Sequence, residues 1–213
     1  IRSNAATLWK RGGHPLFWEL AEFVDVQGPH KLGKAGATEH TLRKLCAFWA
    51  WSKSPAGVPR LPRDQVTDVT DLMQSAGEVL QRIFANDEEF LAVGDLFRNA
   101  EDALNRRTFH DRMGSVLVRV AIQKEDFCNH LYVSPGGVVS QAVACLNTAT
   151  GSVTISLADP IPGVSCRKIV QDLWGPEAGG HEGIAGSPRE REMTKSDLDF
   201  AVWALLAEIE RAS

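Results

Sequence analysis

The sequence predicts an α/β protein in which a helical N-terminal segment and a helical connector precede a mixed β-sheet domain flanked by helices. Over residues 15–107, apolar side chains recur at the spacing of amphipathic helices. From Gly114 onward, short β-branched runs alternate with helical patterns, as is typical of an α/β domain. A boundary is expected at residues 52–62, which contain three prolines and one glycine. The predicted regions are a helical segment at 1–60, a connector at 61–110 and an α/β domain at 111–213.

Helices dominate the prediction for the first half of the chain. The first helix begins at Pro15, and Gly28-Pro29 ends it. A long apolar stripe breaks at Asn86-Asp87, which predicts either a helical hairpin or one long broken helix. The predicted elements of this half are helices at 15–26, 39–52 and 65–107, and a Gly-rich polar loop at 27–38.

Strands and helices alternate in the prediction for the second half. The last helix is the clearest, because apolar residues share one face and Thr194 or Ser196 can cap its N-terminus. Asp197 and Asp199 are favourable near the positive end of that helix. The predicted elements of this half are strands at 115–122, within 127–133, at 152–158 and at 164–168, and helices at 138–146, 169–174 and 196–211.

Composition restricts the classes of function. With 44% apolar and 23% charged residues, the 213-residue chain is typical of a globular protein. Its net charge of −4 argues against binding nucleic acid by bulk charge, so contact with phosphates requires a local site. The four cysteines have neither C-x-x-C nor zinc-like spacing, which favours buried thiols in a reducing compartment. No apolar run is long enough to cross a membrane and no secretory signal is present, so we expect a cytoplasmic protein without membrane contact.

The start of the chain allows two interpretations. Because the first residue is Ile1 and not Met, we expect a processed or truncated piece of a longer protein. Ser3-Asn4-Ala5 is either a cloning scar or the native opening of a helix.

Residues 178–188 are the most distinctive stretch, with four glycines around His181. Glycine permits positive φ and close approach of a ligand, and successive backbone N–H groups can form a cradle for an anion. The segment is therefore either a phosphate cradle or a Gly-rich connection in which His181 hydrogen-bonds the loop. Arg167, predicted at the end of a strand, would converge on the same anion if both segments end at one rim of the sheet. The alternative is a surface arginine paired with Asp172 or Glu177.

Other catalytic patterns are missing from the sequence. There is no H-E-x-x-H pair, no G-x-S-x-G elbow and no G-x-x-x-x-G-K-[ST] loop, which excludes nucleotide hydrolysis by a P-loop. Asp25 and His30 either share a metal ion or are a helix-capping aspartate beside a loop histidine.

Two segments carry a resemblance to a known family. Val164-Ser165-Cys166-Arg167, a short helix and then Gly179-Gly180-His181-x-x-x-Ala185-Gly186 resemble the C-terminal domain that accompanies DHH-superfamily phosphoesterases. That family includes RecJ-like exonucleases, oligoribonucleases and cyclic-dinucleotide phosphodiesterases. The resemblance runs from about residue 114 to the C-terminus. It implies that Arg167, Gly179, Gly180, His181, Ala185 and Gly186 bind substrate phosphate.

A weaker resemblance covers the first helix. Phe23-Val24-Asp25 is similar to the segment that gives the family's catalytic domain its last metal-binding aspartate, so the resemblance implies that Asp25 is a metal ligand. The family uses manganese or magnesium, and its catalytic domain often forms a homodimer. The expected partners are an oligonucleotide or nucleotide phosphate and the N-terminal catalytic domain that this chain lacks.

Departures from the family pattern leave two hypotheses. Ala178 replaces a frequent glycine, and the chain contains no Asp-His-His, whose residues hold the metal ions that activate water. The chain is therefore either the substrate-recognition portion of a phosphodiesterase, catalytically incomplete alone, or a non-catalytic binding or structural module within a larger assembly.

Overall fold

The protein has the predicted α/β architecture, with helices in the first part of the chain and a six-stranded mixed sheet flanked by helices in the second. The computed structural model describes residues 14–54, 68–124 and 128–213. Ser3-Asn4-Ala5 and residues 55–62 of the predicted boundary lie outside the described residues. The chain divides into two compact units, Ile1–Ala100 and Glu101–Ser213. The three regions predicted from the sequence stay a prediction.

The regular secondary structure of the first unit is helical throughout its described residues, 14–54 and 68–100. Pro15 occupies the first turn of α1, where a missing N–H costs nothing, and the Gly28 N–H closes the helix on the Val24 carbonyl at 2.8 Å. Thr38 caps α2 by accepting a hydrogen bond from the Thr41 N–H at 3.2 Å. The helices are α1 Pro15–Gln27, a 3-10 helix Pro29–Lys34, α2 Glu39–Lys53, α3 Thr70–Phe84 and α4 Glu88–Arg107, which continues into the second unit.

The apolar faces of these helices form the core of the first unit. Phe17, Leu20, Leu45 and Leu80 are buried together, and Ile83 lies in an adjoining cluster. The predicted break in the long apolar stripe is confirmed, because α3 ends at Phe84 and α4 begins at Glu88. No helix in the described ranges combines the length and the hydropathy that a membrane span requires.

A mixed sheet in the order β1-β2-β3-β4-β6-β5 forms the second unit. β2 and β3 are parallel, and the other neighbouring strands are antiparallel. One face of the sheet packs against α5 and α6, where Val118, Ile155, Val170 and Leu205 are fully buried. The elements are β1 Phe109–Met113, β2 Val116–Gln123, a 3-10 helix Cys128–His130, β3 Ala142–Asn147, β4 Ser152–Leu157, α5 Cys166–Trp174, β5 Gly179–Gly180, β6 Ile184–Gly186 and α6 Lys195–Ala212.

The opposite face of the sheet buries an arginine. The side chain of Arg119 on β2 is completely inaccessible to solvent. Its guanidinium donates to the Leu131 carbonyl at 2.6 Å, to the Val133 carbonyl at 2.9 Å and to both oxygens of Asn105 at 2.6 and 2.9 Å. These bonds attach the segment after the second 3-10 helix and the end of α4 to the sheet.

Three predicted elements are wrong, and the strands β1, β5 and β6 were not predicted. Residues 142–147 form β3 and not a helix, because they pair with β2 on one side and β4 on the other. Residues 164–168 are not a strand, since Ser165 caps α5. Residues 128–133 form a 3-10 helix and an isolated bridge from Val133 to Val139, not a strand. β1 was missed because most of its side chains are exposed, and only pairing with β2 defines it.

Candidate functional site

The Gly-rich stretch folds into a hairpin at the edge of the sheet, and we call residues 179–186 the Gly-His hairpin. Gly179 pairs with Gly186 and Gly180 with Ala185, and the His181 N–H donates to the Ile184 carbonyl at 2.7 Å. Gly180 has φ +150°, and a Cβ there would lie 2.4 Å from the Ile184 carbonyl oxygen. A residue with a side chain cannot occupy this position without moving the backbone.

The tip of the hairpin is attached to the end of β4. The Gly183 carbonyl accepts hydrogen bonds from the Leu157 N–H at 2.8 Å and from the Ser156 hydroxyl at 3.3 Å. The buried Tyr132 hydroxyl contacts the Ser156 hydroxyl and lies 2.8 Å from the Leu157 carbonyl. Burial raises the pKa of the Tyr132 hydroxyl, which therefore stays protonated. The hydrogen-bonded groups beneath the hairpin tip are thus uncharged.

A backbone hydrogen bond joins the Gly-His hairpin to α5. The Cys166 N–H, in the first turn of that helix, donates to the Glu182 carbonyl at 2.9 Å. Farther along the helix, the Gln171 amide donates to the Ala178 carbonyl at 3.2 Å. Because side chains four residues apart share a helix face, Arg167 lies on the face that Gln171 turns toward the hairpin. Within the described part of the chain, Arg167 itself makes no hydrogen bond or ion pair to the hairpin, and its position rests on the helix face that it shares with Gln171 and on the bond of its neighbour Cys166.

Arg167 and His181 both expose their side chains to solvent. The predicted position of Arg167 at the end of a strand is wrong, since Arg167 lies in the first turn of α5. Neither of the ion pairs considered for it forms: Asp172 pairs with Lys168 at 3.1 Å, and Arg167 has no ion-pair partner within the described part of the chain. The His181 imidazole likewise makes no hydrogen bond to any described residue, so both side chains have donors available for a ligand.

The other predicted substrate-binding residues differ in their exposure to solvent. Gly179 is exposed, with open space where a side chain would be. Ala185 is buried in the core under the sheet, and Gly186 pairs with Thr154 of β4. These last two residues hold the hairpin in place through their backbones.

The segment that follows the Gly-His hairpin runs toward the beginning of β4. The Ser187 N–H donates to the Val153 carbonyl at 2.9 Å, near the beginning of β4, whereas the hairpin tip is bound at Leu157. Arg191 pairs with Asp197 at 2.9 Å. The Arg191 guanidinium is thus engaged in an ion pair at the start of α6.

The predicted metal ligand Asp25 is exposed near the end of α1. Across residues 14–54, 68–124 and 128–213, no three His, Cys, Asp or Glu side chains converge in a way that could hold a metal ion. The described residues thus do not fit a two-metal centre, which needs several carboxylate or imidazole ligands. Metal binding by Asp25 stays a prediction.

Two features of this region were not predicted from the sequence. The side chain of Glu182 is exposed at the tip of the Gly-His hairpin. The sequence did not single out this residue, because its position at the tip follows only from the observed turn. The Trp203 side chain on α6 is 64% exposed. It lines an open groove of about 280 Å³ between α5 and α6, together with Ile169 and Leu173.

Burial excludes nucleophilic chemistry by the cysteine next to Arg167. Cys166 is fully buried, and burial, with smaller contributions from Cys128 and Glu182, raises the pKa of its thiol to about 12. The thiolate that would act as a nucleophile is therefore almost absent near neutral pH.

These observations define an α/β protein with a Gly-rich edge hairpin held against the N-terminus of a short helix. Comparison with protein-family models and with curated proteins gave no significant match. The resemblance to DHH-superfamily phosphoesterases accordingly rests on residues 164–167 and 179–186 and on their order along the chain.

Proposed function

We propose that this chain is the substrate-recognition portion of a metal-dependent phosphodiesterase that acts on oligonucleotides or small nucleotides. In this proposal the Gly-His hairpin and Arg167 bind a terminal phosphate. The observation that carries the proposal is the hydrogen bond from the Cys166 N–H to the Glu182 carbonyl, which holds the Arg167 turn of α5 against the hairpin tip.

The groups at this junction suit a phosphate. The guanidinium of Arg167 presents a planar fork that matches two phosphate oxygens, and the His181 imidazole supplies a further N–H donor. The first turn of α5 adds the positive end of the helix dipole. The exposed Gly179 leaves its backbone open to close approach. With a net charge of −4 on the whole chain, such local groups are what would attract an anion.

Hydrolysis in this proposal depends on residues outside the Gly-His hairpin. Manganese or magnesium, when bound by the family's catalytic domain, activates water for attack on the phosphodiester. The residues of this chain bind and orient the phosphate end of the substrate. The chain is thus proposed to act with a catalytic domain of the DHH type as its partner.

Binding of short oligonucleotides tests the proposal. Arg167→Ala and His181→Ala should each weaken binding of a terminally phosphorylated trinucleotide by about 1.5–3 kcal/mol, or roughly 10- to 150-fold, because each removes a hydrogen bond to a charged group. Isothermal titration calorimetry measures the affinities, with the unphosphorylated trinucleotide as the reference ligand. Arg189→Ala is the matched control, since Arg189 is exposed but follows the strand end near Val153. Wild-type affinity in both site variants would contradict the assignment.

A further inference from the structure

Glu182 has a fixed backbone and an unengaged side chain. Its carbonyl accepts from Cys166, and its neighbours are held by the bonds from His181 to Ile184 and from Leu157 to Gly183. The side chain is exposed, and within the described part of the chain its carboxylate receives no hydrogen bond and forms no ion pair. The nearby cation Arg167 does not pair with it.

Glu182 is adjacent to the turn of α5 that carries Arg167. Its backbone carbonyl accepts the Cys166 N–H at 2.9 Å, and Cys166 lies in the first turn of α5, the turn that also carries Arg167. A second anion at a phosphate site lowers affinity through like-charge repulsion, unless the ligand supplies a donor to it. A carboxylate has two oxygens that only accept hydrogen bonds.

The O–H donors nearest to a nucleotide phosphate are those of the sugar. The 2′-hydroxyl is present in RNA and absent from DNA, and acidic side chains bind this group in other nucleotide sites. We propose that Glu182 accepts a hydrogen bond from the ribose 2′-hydroxyl of the nucleotide bound at the Gly-His hairpin and makes the site select RNA over DNA. This proposal rests on the proposed function, because it needs a nucleotide phosphate beside Arg167.

Three trinucleotides of one sequence and one terminal phosphate test the proposal by calorimetry: ribo, deoxy and 2′-O-methyl. The wild-type chain should bind the ribo form about 10- to 100-fold more tightly than the deoxy form, the range expected for a hydrogen bond to a charged group. The 2′-O-methyl form, which keeps the oxygen but loses the donor, should bind like the deoxy form. Glu182→Ala should bring the three affinities within about twofold, mainly by weakening the ribo form.

Controls separate this proposal from the one on which it rests. Glu177→Ala removes an exposed carboxylate shortly before the hairpin and should keep the ribo preference. Arg167→Ala should weaken all three ligands alike. If the wild-type chain binds all three equally and Arg167→Ala weakens them, the proposed function stands and the role of Glu182 is refuted. A ribo preference that survives in Glu182→Ala also refutes it. If no trinucleotide binds the wild-type chain, both proposals fail.

Discussion

Gly180 occupies the position in the Gly-His hairpin that is most restrictive for a side chain. With φ at +150°, an added Cβ would meet the Ile184 carbonyl oxygen at 2.4 Å and the Ala185 Cα at 2.5 Å. Both obstacles are backbone atoms, so the strand pairing itself would have to move. Gly180→Ala should lower the free energy of unfolding by about 2 kcal/mol and weaken phosphate binding with it.

Gly183 provides the matched control for this substitution. It lies in the same turn, but a Cβ there has no atom within 4 Å, so Gly183→Ala should change stability by less than about 0.5 kcal/mol. Urea unfolding followed by tryptophan fluorescence measures both variants. Equal stabilities for the two would show that the hairpin does not have the described backbone.

Arg119 shows what residue patterns cannot reveal. Alternation predicted the strand at 115–122, and the structure confirms β2 at Val116–Gln123. The pattern could not indicate that the arginine faces a buried surface, since its acceptors belong to Asn105, Leu131 and Val133 in other segments. Such a buried cation is recognised only when the fold brings these carbonyl groups together.

At the scale of elements, the start of α6 links stability to pH. The Thr194 hydroxyl and N–H both donate to the Asp197 carboxylate, at 2.7 and 2.9 Å, and Arg191 pairs with it. The hydrogen bonds from Thr194, more than the charge of Arg191, lower the pKa of Asp197 below its ordinary value. Because the folded-state pKa is depressed, this stabilisation is complete above the unfolded pKa of about 4 and is lost as the pH falls through the folded pKa.

Asp197→Asn tests this linkage. The variant should be less stable than the wild type by about 1 kcal/mol at pH 7, the usual effect of losing a helix cap, and the difference should shrink below about pH 4. Denaturant midpoints at pH 7 and pH 3 give the comparison. Asp199→Asn is the control, because Asp199 forms only an exposed i,i+4 pair with Lys195 and should show little change. A deficit of Asp197→Asn that persists unchanged at low pH would contradict the assignment.

Elements with a strong helical period were predictable, whereas short apolar runs were not. The helices observed at Pro15–Gln27 and Lys195–Ala212 agree closely with their predicted ranges, and the Thr194 cap is confirmed. Residues 142–146 are apolar throughout, so their period cannot separate helix from strand, and pairing on both sides decides that they form a strand. Ser165 is a typical N-cap residue and could have predicted the start of α5. The β-branched Val164 next to it favoured the prediction of a strand instead.

The candidate site was predictable in its parts but not in its assembly. Four glycines around His181 indicated a tight turn, and the hairpin confirms that the backbone turns there. The position of Arg167 was predicted on the wrong type of element, and the bond from Cys166 to Glu182 joins segments that only the folded sheet brings together. Phosphate binding by these residues stays a prediction.

At the scale of the whole molecule, the number of metal-ligating residues decides whether the chain can hydrolyse a phosphodiester by itself. The sequence contains no Asp-His-His, and the described residues bring no three potential metal ligands together. Clamping the attacking and leaving oxygens of a phosphodiester takes two metal ions with several ligands each.

We therefore expect the 213-residue chain to bind a phosphorylated trinucleotide without hydrolysing it in the presence of manganese. Chromatography of a labelled trinucleotide after prolonged incubation measures this, with an added metal-dependent exonuclease as the positive control. Turnover that rises with chain concentration, stops with EDTA and is lost in Asp25→Asn would show instead that Asp25 contributes to a functioning metal centre.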